Sequence, residues 1–134
     1  MSGTTLPAWE LPVTATMVVS TALATRDFQD VHHDRELAQS HGSKDIFVNI
    51  LSTTGLVQKY VGDWAREALG PEFLIRSCAL RLGAPAHPHD TLSFSGEVTG
   101  EVDGVLTVDV VGRVVTPDSA NGGDHVTARL EVRR

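Results

Sequence analysis

One cysteine, Cys78, is present among 134 residues, so no intrachain disulfide and no cysteine-rich zinc site can form. No stretch approaches the roughly 20 consecutive apolar residues of a membrane span. The N-terminus also lacks the basic region and apolar core of a secretory signal. Basic residues are in deficit: 11 Lys and Arg against 17 Asp and Glu give a net charge of −6. A phosphate-binding surface needs a basic footprint, so this balance argues against nucleic acid as the main partner. Internal repeats and low-complexity tracts are missing as well. Together these absences predict a chain of the reducing cytoplasm, with neither a nucleic-acid nor a membrane partner.

What is present is the composition of a folded domain, 41% apolar and 21% charged. At this length one domain is expected, burying about two-thirds of its unfolded surface. Residues 1–16 carry the apolar anchors Leu6, Trp9 and Leu11, with Pro7 and Pro12 blocking a helix, and read as an extended leader lying on a domain that spans 17–134. The β-branched run Met17–Leu23 predicts a strand. The polar stretch Thr25–Asp45 predicts a loop with a short helix at Asp34–Ser40, capped by Asp34. Phe47, Ile50, Leu51, Val57, Val61 and Trp64 then recur at helical spacing. Ser43 or Asp45 can cap that helix, and Gly70-Pro71 ends it. Apolar on so much of its circumference, it must be wrapped by other elements. Phe73–Leu82, Thr91–Glu101, Val105–Val115 and Asp124–Val132 read as strands, with a hairpin turn at Asp103-Gly104. The fold class is therefore α+β, and the arrangement that buries such a helix is the hotdog fold: a curved antiparallel sheet of about five strands around a long central helix.

Chemistry concentrates in Thr25–Asp34. Asp27 and His32 stand about 140° apart on a continuous helix, so they converge only if the chain bends between them. A carboxylate and an imidazole meeting on such a bend can hold a water and divide proton transfer. His33 and Asp34 lie beside them, but adjacent residues on a bend point apart and no metal is expected. His41 reads as a surface residue, His87 and His89 as exposed loop residues, and His125 has no evident partner. Arg76 and Arg81, in opposite alternation classes, are the cations best placed for a phosphate. Asn49, polar among apolar neighbours, either bonds a buried backbone group or faces a ligand. Thr53, Thr54 and Gly55 interrupt the apolar stripe and would admit a close neighbour. Cys78 reads as packed within a strand.

The segment Asp27-Phe28-Gln29-Asp30-Val31-His32, preceded by Thr25 and followed by the apolar helix, resembles the Asp-x-Asn-Pro-aliphatic-His signature of MaoC-like enoyl-CoA hydratases. Gln29-Asp30 stand in place of Asn-Pro, and Phe47 stands where that family carries glycine. From about Val18 to Val132, and most closely through Ser20–Asp27 and Ile46–Leu51, the chain is similar to one branch. That branch is the small single-hotdog subunit of the heteromeric hydratase of bacterial cholesterol side-chain degradation.

The resemblance implies hydration of a trans-2-enoyl-CoA, a steroid side-chain thioester, to the 3-hydroxyacyl-CoA. Asp27 and His32 would be the catalytic pair, Asp27 as base and His32 as proton donor, a division the sequence leaves open. Phe47, Val48 and Asn49 would contact substrate, with donors for the enolate at a helix N-terminus near Asp45–Phe47. Coenzyme A enters as part of the substrate, and no cofactor is implied. The expected partner is a second MaoC-like hotdog subunit in a heterodimer or heterotetramer, with a lipid-transfer-protein-like thiolase or aldolase in a larger assembly. Two other functions compete: an accessory subunit that scaffolds a side-chain-cleaving complex, and a hotdog acyl-CoA thioesterase. The absence of Asp and Glu from residues 46–62 counts against the thioesterase.

Overall fold

Alternating apolar and polar residues in the second half of the chain become strands because a pleated sheet buries every second side chain. In the computed structural model, which describes all 134 residues, these are β2 (Leu74–Leu82), β3 (Thr91–Val102), β4 (Val105–Val115) and β5 (Asp124–Arg133). Asp103 and Gly104 take φ of 51° and 79°, the pair of left-handed conformations that closes a two-residue hairpin with the strands' own twist.

The fifth strand is β1 (Thr5–Pro12), drawn from the segment expected to be a leader. It pairs with β3 from Thr5↔Glu97 to Pro12↔Thr91, around a bulge between Leu6 and Trp9. An edge position suits Pro7 and Pro12, which have no N–H to give. The sheet runs β1-β3-β4-β5-β2, antiparallel throughout. Its two edges are β1 and β2.

Met17–Leu23 is not a strand. It lies in helix α1 (Ala15–Ala24). Thr14 caps the helix, its hydroxyl oxygen accepting from the Met17 N–H at 3.1 Å. Val18 and Ala22, four residues apart, are both fully buried. The hydroxyls of Thr21 and Thr25 donate to carbonyls four residues back, at 2.7 and 2.9 Å. Both hydroxyls are thereby satisfied against the helix's own backbone. Helix α2 (Arg35–Ser40) forms where expected, and Asp34 caps it by accepting from the Leu37 N–H at 3.0 Å.

The long helix is α3 (Ile50–Leu69). It begins later than Asp45–Phe47, and its cap is neither Ser43 nor Asp45 but Asn49, whose Oδ1 accepts from the Ser52 N–H at 3.0 Å. Asp45 instead accepts from the Ile46 N–H at 2.8 Å, and Ser43 donates to the Asp45 carbonyl at 2.7 Å. Val57, Val61 and Ala65 are fully buried against Leu92, Phe94 and Leu130 of the sheet. Tyr60 donates its hydroxyl to the Pro7 carbonyl at 2.8 Å, and burial pushes its pKa up to about 12. Trp9 stacks on Phe94 at 5.2 Å, sealing β1 to the core. The wrapping is one-sided, however. Ile50 and Leu51 remain 51% and 54% exposed. No helix is long and apolar enough to cross a membrane.

Phe94 reaches the core over Gly112 on β4. A Cβ there would lie 2.8 Å from Val126 Cγ1 and 3.0 Å from Phe94 Cε1. Gly112→Ala should therefore destabilise the domain by about 1–3 kcal/mol through overpacking, read as a lower denaturant midpoint with an unchanged slope.

Candidate active site

Helix α1 ends by turning through Arg26, whose φ is 57°. The Arg26 N–H donates to the Leu23 carbonyl at 3.0 Å and the Asp27 N–H to the Ala22 carbonyl at 2.9 Å. This is the left-handed helix stop that usually carries glycine. It delivers Asp27 directly off the helix end. Asp27 Oδ1 then accepts from the Gln29 N–H at 3.2 Å, and a 3₁₀ turn over Asp30–His32 follows. These two local devices supply the bend without a proline. Asp27 Oδ2 and His32 Nε2 meet at 3.3 Å.

Each partner is held from a second direction. His32 Nδ1–H donates to the Phe47 carbonyl at 2.7 Å. A carbonyl only accepts, so Nδ1 carries a proton, and Nε2 is turned to Asp27. The Phe47 ring meets the imidazole edge-on at 4.9 Å, and His32 is buried. The Asn49 amide donates to Asp27 Oδ2 and to Thr25 Oγ1, each at 3.0 Å. Its Oδ1 also accepts from the Ser52 hydroxyl. The Asn49 amide holds the Asp27 carboxyl below the usual carboxylate range, helped by the Gln29 N–H and His32 and opposed by partial burial. His33, in turn, donates Nε2–H to the Asp27 carbonyl at 2.6 Å, which pins the bend.

A cleft of about 540 Å³ opens beside the pair, lined by Thr25, Arg26, Asp27, Phe28, Gln29, Ile50 and Leu51. Phe47, Val48 and Asn49, expected to contact substrate, lie outside its lining, as does His32 itself. Phe47 supports His32, and its own N–H donates to the Val31 carbonyl at 3.2 Å. Val48 is a core residue whose N–H donates to the Ala86 carbonyl at 3.1 Å. Asn49 is buried with both ends of its amide engaged. The helix start at the cleft is Ile50-Leu51, whose N–H groups precede the first intrahelical bond and sit at the positive end of the α3 dipole.

Other expectations resolve away from the cleft. The bulge between Ile75 and Ser77 brings Arg76 to Glu131 at 3.6 Å. Glu131 also accepts from Ser77, so Arg76 reaches the face that carries Ser77, Ala79 and Arg81, and the opposite-face reading of the two arginines fails. A shallow hollow of about 560 Å³ on that face contains neither Asp27 nor His32, and Arg129 pairs there with Asp109 at 2.7 Å. Cys78 is half-buried, and burial raises its thiol pKa.

A five-stranded antiparallel sheet closed over one long helix, with a carboxylate–imidazole pair beside the helix start, defines a hotdog protein of the hydratase type. No family model matches the chain. It is 58% identical to the 3-oxo-4,17-pregnadiene-20-carboxyl-CoA hydratase beta subunit of Mycobacterium tuberculosis, over 97% of this chain and 93% of that protein. Among solved structures, a chain of the ChsH1–ChsH2 complex from Mycobacterium tuberculosis superposes with a TM-score of 0.90 at 57% identity, covering 99% of this chain and 97% of that one. An (R)-hydratase from A. caviae superposes with a TM-score of 0.78 at 19% identity, over 99% of this chain and 96% of that one, and shows the shared fold. The chain belongs to the MaoC-like enoyl-CoA hydratase family.

Two histidines expected to be exposed or unpartnered are buried. His87 is 6% exposed, with Nδ1 3.7 Å from Asp90. His125 donates Nδ1–H to the Ala84 carbonyl at 2.8 Å and accepts from the Thr53 hydroxyl at 2.7 Å. The small residue at 53 thus serves an internal bond, although the neighbouring Gly55 does lie open. Burial lowers the pKa of both imidazoles, with Lys44 adding to the effect at His87. With folded pKa values below the unfolded value of about 6.5, the unfolded chain binds more protons in that window. Stability should be fully present above pH ~6.5 and decline as pH falls through it. Melting curves from pH 7.5 to 5 should show that decline, and His125→Gln should make it shallower.

Proposed function

We propose that the chain is the catalytic subunit of a hetero-oligomer that adds water across the α,β double bond of a steroid side-chain trans-2-enoyl-CoA. The Asp27–His32 pair at 3.3 Å, with its carboxylate kept ionised by Asn49, carries the reading. Asp27 takes a proton from water as the water oxygen bonds to Cβ, and the π electrons move to the thioester oxygen. His32, acting as the imidazolium with its second proton on Nε2, gives that proton to Cα as the enolate collapses. The proton on Asp27 then crosses to His32 Nε2, which restores both groups. The Ile50 and Leu51 N–H groups at the head of α3 are the donors aimed at the enolate oxygen, where preorganised charge has its largest effect. No cofactor takes part: coenzyme A belongs to the substrate.

The M. tuberculosis relative is named for a steroid carboxyl-CoA, and the similar solved structure is a two-component complex. A second MaoC-like hotdog subunit fits this chain for two further reasons. Apolar Phe28, Ile50 and Leu51 stand open around the cleft, Phe28 being 68% exposed. A net charge of −6 also leaves the coenzyme A phosphates in want of cations from elsewhere. A lipid-transfer-protein-like thiolase or aldolase would act next on the hydrated thioester. An unpaired Cys78 suits a reducing cytoplasm. The thioesterase alternative lacks an acid on the first half of α3, the first acid of the helix being Asp63 in its second half.

The test is hydration of a steroid enoyl-CoA by the chain purified with its second subunit, wild type beside Asp27→Asn. The variant should assemble normally and lose about 10²–10⁴ in kcat. An assembled wild-type complex inactive on both short and steroid enoyl-CoAs would leave the scaffolding role in its place.

A further inference from the structure

We infer that Asn49 is a positioning residue for the hydration reaction: one buried amide fixes the catalytic carboxylate and the helix end that faces the substrate in a single rigid unit. This rests on the reading of Asp27 as the base.

The geometry of the amide is complete. Its NH₂ gives one hydrogen to Asp27 Oδ2 and the other to Thr25 Oγ1, both at 3.0 Å. Its oxygen takes the Ser52 N–H at 3.0 Å and the Ser52 hydroxyl. Asn49 is 3% exposed. No donor or acceptor of the side chain remains for a ligand. It therefore does not touch substrate. It joins the C-terminal end of α1, through Thr25, to the first turn of α3, through Ser52, with Asp27 held between them.

Two requirements of the reaction meet at this residue. The base must be ionised and aimed, and the N–H groups that receive the enolate must lie at a fixed distance from it. Asn49 is the N-cap of α3, so the residues that follow it, Ile50 and Leu51, inherit their position from the same side chain that orients Asp27. The titratable groups facing Asp27 are His32 and His33. Arg26 adjoins it in sequence, and the first turn of α3 contributes no acid. The amide is thus the one contact from α3 that acts on the carboxylate.

Asn49→Ser separates the two jobs, because serine caps a helix as well as asparagine does yet has no amide to reach Asp27. In the assembled complex this variant should keep its melting temperature within a few degrees. The acidic limb of its kcat profile should move up by about one pH unit, with kcat reduced and KM little changed, since a hydrogen bond to a charged group has been lost. Asn49→Asp also keeps a cap but sets a second carboxylate against Asp27, and should move the limb further in the same direction. Superposable pH profiles for wild type and both variants would overturn the inference. So would a rise in KM alone, which marks a substrate contact. Titration of the Asp27 carboxyl by ¹³C NMR in the full chain reads the same shift without turnover. It keeps this result distinct from a failure of the hydratase reading itself.

Discussion

The structure depends on one packing event, the seating of α3 from Val57 to Ala65 in the concave face of the sheet. Val57, Val61 and Ala65 are lost entirely from water there, and each large aliphatic side chain so buried is worth about 1.5–3 kcal/mol. The axis of the helix is thereby set along the sheet. Its first turn is covered on one side only: Thr53 is fully buried and bonded to His125 of β5, while Ile50 and Leu51 are half exposed at the cleft. The reactive end of the helix is thus anchored on its inner side and left open on its outer one.

Against that fixed helix, the catalytic segment needs only local devices. A left-handed stop at Arg26, an Asp27 carboxylate accepting from Gln29, and one 3₁₀ turn make the bend. Three cross-links then tie it down: His32 to the Phe47 carbonyl, His33 to the Asp27 carbonyl, and Asn49 to Asp27. Each donor meets an acceptor fixed by other bonds, which is how a short loop attains the order of a helix. Proline, the usual stiffener of such a bend, becomes dispensable.

Much of this was legible in the residues, and the failures have physical causes. The strands from Leu74 onward, the Asp103-Gly104 hairpin, the Asp34 cap and the hotdog class follow from period, turn chemistry and helix length. Met17–Leu23 misled because β-branched composition was weighed above the Thr14 cap and the four-residue spacing of Val18 and Ala22. The leader hid a strand because two prolines argue against helix and are silent about an edge strand. The Asp27–His32 pairing could be stated as a condition, that the chain must bend, but the means of bending lay in an Asx contact and a helix stop with no sharp sequence mark. The start of the long helix, expected near Asp45–Phe47, lies at Ile50 because Asn49 supplies the cap, and a capping amide set among apolar residues leaves little mark in the sequence. His87 and His125 are buried by tertiary contacts, with residues 43 and 90 and with residues 53 and 84, and nothing local announces them.

The two edges of the sheet differ in kind. β1 carries two prolines and a bulge, features that interrupt a ladder and refuse a further strand. β2 has no proline, and its outer row of backbone groups is free to pair. The sheet is therefore one-sided in its backbone chemistry: a further strand would meet a regular ladder at β2 and an interrupted one at β1. The prolines of the first twelve residues thus give the sheet a blunt side, set by the segment that carries none of the chemistry.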